Sequence, residues 1–183
     1  WAVQPIRRLA SALARIPDSD QPVFALDDLA AVLPDLTRGA LKAVVVRAVA
    51  SGLLVRVCHG IYARPQAATS GLLLFHAAAR LRANAFNYLS LETALSDAGG
   101  IAQVPVNWIT LMSSGRSHIV SCGRYGRIEF VHTRKRPIDL AAHLTYDPRC
   151  RLWRASPALA LRDLKATRRN VDLVDPEAAH ESF

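Results

Sequence analysis

The run from Thr37 to Arg64, TRGALKAVVVRAVASGLLVRVCHGIYAR, decides the reading of the fold, because a short cationic helix leads straight into a two-stranded ribbon. Five Arg and Lys fall in it and no acid does. Leu41, Val44, Val45, Ala48 and Val49 recur at the spacing of an amphipathic helix, with Thr37 as its N-cap and Gly52 as its C-terminal stop. At about 100° per residue the opposite face carries Gly39, Lys42, Ala43, Val46, Arg47 and Ala50, with Arg38 on its flank. Small side chains permit close approach to a surface, and the cations between them reach phosphates or base edges. After Gly52, Leu53, Val55 and Val57 alternate with Leu54, Arg56 and Cys58, and a His59-Gly60 turn returns the chain through Ile61 to Arg64, which is a hairpin pattern. Two readings follow. One is a recognition helix and wing that grip duplex DNA through Thr37, Arg38, Lys42, Arg47, Arg56, His59 and Arg64. The other is a core helix and an ordinary hairpin whose arginines face water or a protein.

Working back towards the N-terminus, Val3 to Ile16 reads as a helix with Ile6, Leu9, Leu13 and Ile16 on one side, ended by Pro17-Asp18-Ser19-Asp20. Val23 to Ala25 is a short strand that would complete the wing sheet. Leu26, Leu29, Ala30 and Leu33 stripe a further helix that Pro34 stops. Asp27 and Asp28 in its first turn suit the positive helix end, and adjacent helical residues do not converge as a catalytic pair would. Helix, turn, helix and hairpin thus predict a winged helix-turn-helix over residues 1–66.

The small and turn-forming run Pro65 to Gly71 is read as the boundary, with a second α+β domain over 67–183 built around a small antiparallel sheet. Leu72 to Leu81 reads as a helix with His76 packed on or near its apolar face. Ser90 caps a helix through Ala98 that contains an early Glu92 and stops at Gly99-Gly100. Strands are expected over Val106 to Met112, His118 to Cys122 and Arg127 to His132, with Trp108, Tyr125 and Phe130 as sheet core. Arg116, Arg124, Arg127, Arg134, Lys135 and Arg136 stand against Glu129 alone and form a second positive region, suited to nucleic acid, an acidic protein or water. A strand around Arg151 to Arg154 precedes a helix whose Ser156 cap and Pro157 at the first helical position are a clear start signal. That helix closes on Arg168-Arg169, and a short helix or ordering tail is expected over the last dozen or so residues.

At 183 residues, 51% hydrophobic, the chain has material for one ordinary domain or two small ones. Its formal net charge of +8 favours anionic partners. Placement says more than the total: the acids of the first 65 residues lie between Asp18 and Asp35, so the basic residues after them stand unopposed. Cys58, Cys122 and Cys150 form no CxxC, and a reducing cytoplasm is expected. The sequence opens on Trp1 rather than Met, from which a missing preceding segment is expected. No signal-like or membrane-spanning run is found. P-loop, GxGxxG, HExxH and nucleophile-elbow motifs are absent, and His59, His76, His118, His132, His143 and His180 are scattered. Cys122 and His132 can meet across a hairpin, but two ligands do not close a zinc site. No catalytic residue, metal or cofactor is expected, and the protein reads as a non-enzyme.

Three motifs, in order, carry a resemblance. GLLVRVCHGIYAR is similar to a G-x-[LI]-x-R-[VL]-x-x-G-[IV]-Y signature through Gly52, Leu54, Arg56, Val57, Gly60, Ile61 and Tyr62. YLSLETAL, Tyr88 to Leu95, resembles the start of the same family's second domain, and ASPALALRDL, Ala155 to Leu164, resembles its A-S-P-E-K-A-L-x-D-L element. That family is the antitoxin component of AbiE-type abortive-infection systems, the type IV toxin-antitoxin class, with its related bacterial regulators. The likeness spans roughly residues 5 to 165 and departs at Ala158-Leu159, where the family commonly has Glu-Lys. It implies a sequence-specific transcriptional repressor that binds double-stranded operator DNA upstream of its own operon, as monomer or dimer. It also implies a second domain that neutralises a nucleotidyltransferase-like toxin, for which the second basic set is the candidate partner surface. A stand-alone regulator or a protein-interaction module without a cognate toxin is the alternative.

Overall fold

The structure is a computed structural model that describes residues 2–99 and 107–168. The expectations for Gly100, Val106, Arg169, His180 and the C-terminal tail lie outside those residues. The chain is a mixed α+β protein with two sheets, divided into two compact units, Trp1–Leu81 and Arg82–Phe183. The helix over Leu73–Leu81, assigned from the sequence to the second domain, belongs to the first unit.

The first unit runs α1 (Pro5–Arg15), β1 (Val23–Ala25), α2 (Leu26–Val32), α3 (Arg38–Ala50), β2 (Val55–Cys58), β3 (Ile61–Ala63) and α4 (Leu73–Leu81). Local chemistry fixes the helix ends. The Asp28 carboxylate accepts the Ala25 N–H at 2.8 Å, satisfying a donor that the start of α2 would leave bare. Thr37 Oγ1 accepts the Ala40 N–H at 3.2 Å at the start of α3. At the other end Gly52 adopts φ +78°, and the Gly52 and Leu53 amides donate to the Val49 and Ala48 carbonyls at 3.1 and 2.9 Å, a Schellman closure.

Leu9, Leu13, Phe24, Leu29, Leu33, Leu41, Val44, Val45, Ala48 and Leu54 interlock as the core under these helices. Burying a side chain of this size contributes about 1.5–3 kcal/mol. The strands form an antiparallel sheet in the order β1-β3-β2, so the short strand Val23–Ala25 does join the hairpin. The alternation expected along β2 breaks at a bulge: Arg56 faces Tyr62 but Cys58 faces Ile61, so Val57 and Cys58 are both buried. In α4, Arg80 grips Asp28 with two bonds of 3.1 and 2.7 Å, and the helix packs on β1 and β3.

The second unit contains β4 (Asn87–Leu89), α5 (Leu91–Asp97), β5 (Trp108–Ser113), β6 (His118–Ser121), β7 (Arg127–His132), α6 (Pro137–Leu140), β8 (Leu144–Asp147), β9 (Leu152–Ala155) and α7 (Pro157–Ala166). The expected small antiparallel sheet is instead six-stranded and mixed, in the order β6-β7-β5-β4-β9-β8, with β5/β7 and β4/β9 parallel. The reason is topological. After β5 the chain passes over to β6 at the rim, and β7 returns into the gap between them, which strand periodicity does not encode. Strand β4 is three residues long and wholly buried, so it has no alternation to read.

Helices α5 and α7 pack together and on β5 and β9, around Tyr88, Leu91, Leu95, Met112, Leu159 and Leu164. Ser156 Oγ accepts the Leu159 N–H at 3.2 Å and Pro157 opens α7, as the sequence predicts. The cap of α5 is a correction. Ser90 Oγ donates to Asp163 at 2.7 Å rather than capping, and Thr110 Oγ1 on β5 accepts the Thr93 N–H at 3.2 Å in its place. Leu91, at φ +57°, makes the sharp turn from β4 into α5.

Candidate nucleic-acid interface

Helix α3 divides its residues cleanly. Leu41, Val44, Val45 and Ala48 are buried, whereas Gly39, Lys42, Ala43, Val46, Arg47 and Ala50 are exposed on the other side. Val46 is 67% exposed, a large apolar side chain left on the surface of a helix whose core face is already filled. Lys42 and Arg47 border this face on its two sides, and among the described residues neither is in an ion pair. Arg38 is exposed but held, donating to Asp27 Oδ1 at 2.8 Å between two solvent-facing side chains. Such a pair exchanges readily with an incoming phosphate, since exposed ion pairs are worth about 0–1 kcal/mol. Thr37 is exposed at the helix start, its hydroxyl serving the Ala40 amide.

The hairpin supplies two further exposed groups, Arg56 on β2 and His59 at the turn, where Gly60 takes φ +75°. Arg64 is different. It is only 9% exposed, and its guanidinium donates to the carbonyls of Leu13 at 2.9 Å, Ile16 at 2.6 Å and Gln21 at 3.4 Å, meets Asp18 at 3.0 Å and lies over the Phe24 ring. It closes the carbonyl end of α1, where a cation is favoured, and is committed to the fold rather than to a ligand. Just past the end of β3 its side chain turns back onto the end of α1, which the run of basic residues in the sequence conceals.

The second basic set does not act as one group. Lys135 donates to Asp163 Oδ1 at 3.1 Å; the other oxygen of that buried carboxylate accepts from Tyr88 Oη at 2.8 Å and from Ser90. Burial and the adjacent Asp163 charge push the Tyr88 hydroxyl far above its ordinary range. Arg136 pairs with Asp139 at 3.0 Å. Arg127 lies over the Trp108 ring at 4.5 Å and Arg124 over the Tyr125 ring at 4.9 Å. Trp108 and Tyr125 are therefore half-exposed partners of arginines, and of the three aromatics assigned to the sheet core Phe130 alone is fully buried. Arg116 and Arg134 are exposed and in no ion pair among the described residues.

Tyr146 on β8 and Trp153 on β9 form an exposed edge-to-face pair set by the cross-strand register; the sequence places Trp153 on a strand but does not show its partner. Cys122 is buried and the His132 ring contacts the Gly115 carbonyl at 2.8 Å. Among the described residues no group of three or more His, Cys, Asp or Glu could hold a metal ion, and no helix is long and apolar enough to cross a membrane. No family model matches the chain, and a search of curated proteins finds no match.

Proposed function

We propose that the protein is a sequence-specific DNA-binding transcriptional repressor whose first unit is a winged helix-turn-helix, with α3 as recognition helix and the β2–β3 hairpin as wing. The observation that carries this is the outer face of α3, where small residues and Val46 stand between Lys42 and Arg47, neither of them ion-paired among the described residues. A helix face of this kind enters a major groove closely, offers methyl groups to thymine and brings cations to phosphate or guanine. Arg56 and His59 extend the contact onto the flanking backbone, while Arg38 and Thr37 act at the helix start, where amides favour phosphate. The set is Thr37, Arg38, Lys42, Arg47, Arg56 and His59, without Arg64.

The three sequence motifs resembling AbiE-type antitoxins support a narrower reading. The repressor acts on its own operon, and its second unit neutralises a nucleotidyltransferase-like toxin. The experiment is a fluorescence-anisotropy titration of the full chain with duplex from upstream of its own reading frame. Affinity falls steeply with salt as counterions are released, and changing both Lys42 and Arg47 to Ala weakens binding by about 10- to 100-fold. Unchanged affinity in that folded double variant removes α3 from the interface. Co-expression with the product of the adjacent gene, with rescue of growth, tests the antitoxin reading separately.

A further inference from the structure

The six-stranded sheet ends at β6, and among the described residues no strand pairs with its outer side. The register of the β6–β7 ladder fixes which backbone groups look outward. The Cys122 amide donates to the Gly126 carbonyl at 2.8 Å, and the pairs Ser121/Arg127, Val120/Ile128, Ile119/Glu129 and His118/Phe130 follow. Antiparallel ladders alternate bonded and non-bonded pairs, so Val120 and His118 bond inward while Ile119 and Ser121 turn their N–H and C=O groups away from β7. An outward row of this kind is a template for another strand. Although short, β6 reads His-Ile-Val-Ser, without Pro, Lys or a bulge, and Ile119 is 53% exposed.

Charge decides the occupant. Arg116 and Arg124, both exposed, stand beyond the two ends of β6, and the sequence has no Asp or Glu between Asp97 and Glu129. A second copy is a poor fit. Antiparallel pairing centred on Val120, which sets the outward groups of Ile119 against those of Ser121, places Arg116 of one copy opposite Arg124 of the other, and parallel pairing sets each arginine within one residue of its own equivalent. Like charges facing across strands are destabilising. A strand with acids at its ends meets both arginines instead, and an apolar β-branched side chain at its centre covers Ile119.

We propose that the outer edge of β6 receives, as an added strand, an extended segment of another protein in which carboxylates flank a β-branched apolar residue. Backbone bonds to Ile119 and Ser121 supply affinity, and Arg116 and Arg124 select for charge. This surface lies wholly in the second unit and does not depend on DNA binding by α3.

The test pans the full-length protein against a displayed library of random peptides of about ten residues, roughly strand length. Selected peptides are expected to carry Asp or Glu on both sides of Val, Ile or Thr, and to protect the Ile119 and Ser121 amides from hydrogen exchange. Ser121→Pro removes an outward donor without breaking the β6–β7 ladder, and is expected to weaken peptide binding by about tenfold or more, the worth of a lost backbone bond. Ile119→Lys, a surface change, serves as the second variant and gives the same loss if Ser121→Pro fails to fold. Operator affinity of either folded variant stays at the wild-type level, which separates this result from the fate of the DNA reading. Failure to select any peptide, selected peptides indifferent to both variants, or a concentration-dependent dimer that Ser121→Pro dissociates would each overturn the proposal.

Discussion

Arg64 illustrates how one side chain changes role with burial. In the sequence it is the last of a series of cations that run along the helix and hairpin; in the fold it is a fork inserted among the carbonyls of Leu13, Ile16 and Gln21. A buried carbonyl that loses its donor keeps its desolvation cost, so Arg64→Ala should destabilise the first unit by about 3 kcal/mol. Arg64→Lys restores the charge but cannot span divergent acceptors with a planar fork, so it recovers only part of that loss. Urea unfolding monitored by circular dichroism reads both values. DNA affinity corrected for the folded fraction should be unchanged in Arg64→Lys, and a loss comparable to that of the Lys42 and Arg47 double variant would return Arg64 to the interface. Lys135 is a parallel case, drawn from the surface set by the buried Asp163 carboxylate. Neither role is readable from a charge count, because the acceptors lie far away in sequence.

The ends of α3 carry separable contributions to the proposed recognition element. Gly52 has nothing within 4 Å of the position a Cβ would occupy, so Gly52→Ala meets no steric clash and isolates the cost of φ +78°. That cost should be about 1 kcal/mol, and Thr37→Ala at the other end should cost a similar amount through the lost Ala40 bond. The sites are far apart and share no partner, so the double variant should give the sum in thermal or urea unfolding. Both signals were legible in the sequence because they are local: a cap, a periodic apolar stripe and a glycine stop. The hairpin was legible for the same reason, and its bulge was not, since Val57 and Cys58 look like ordinary alternating residues until the partner strand is known. In the second unit the Ser156-Pro157 helix start was equally plain. Ser90 looked just as good a cap, but Asp163, 73 residues away, claims its hydroxyl. The outer face of α3 was visible from spacing alone, whereas the edge of β6 emerges only once β7 is seen to lie between it and β5.

Across the whole chain, a net charge of +8 makes acidification a test of how the two units use their few acids. In the first unit, hydrogen bonds from Arg8 hold the Asp35 carboxyl down to about 2. In the second, burial by itself pushes Asp147 up. Bonds from Arg154, Arg149 and the Arg149 and Cys150 amides outweigh it and leave Asp147 well below the ordinary carboxylate range. Both folded values lie beneath the roughly 4 of an unfolded Asp, so between those limits the unfolded chain binds more protons than the native one. The stabilisation is therefore complete above about pH 4 and declines as the pH falls, with the share of Asp35 gone below about 2. Self-repulsion of an already cationic chain acts in the same direction, but added salt screens it far better than the half-enclosed bonds around Asp147. Melting temperatures measured from pH 6 down to about 2 should thus fall, with only part of the fall recovered by salt. Asp147→Asn should melt lower than wild type at pH 6 and lose less on acidification. A variant with the wild-type slope would mean that Asp147 carries no acid-linked stability and that general repulsion accounts for the decline.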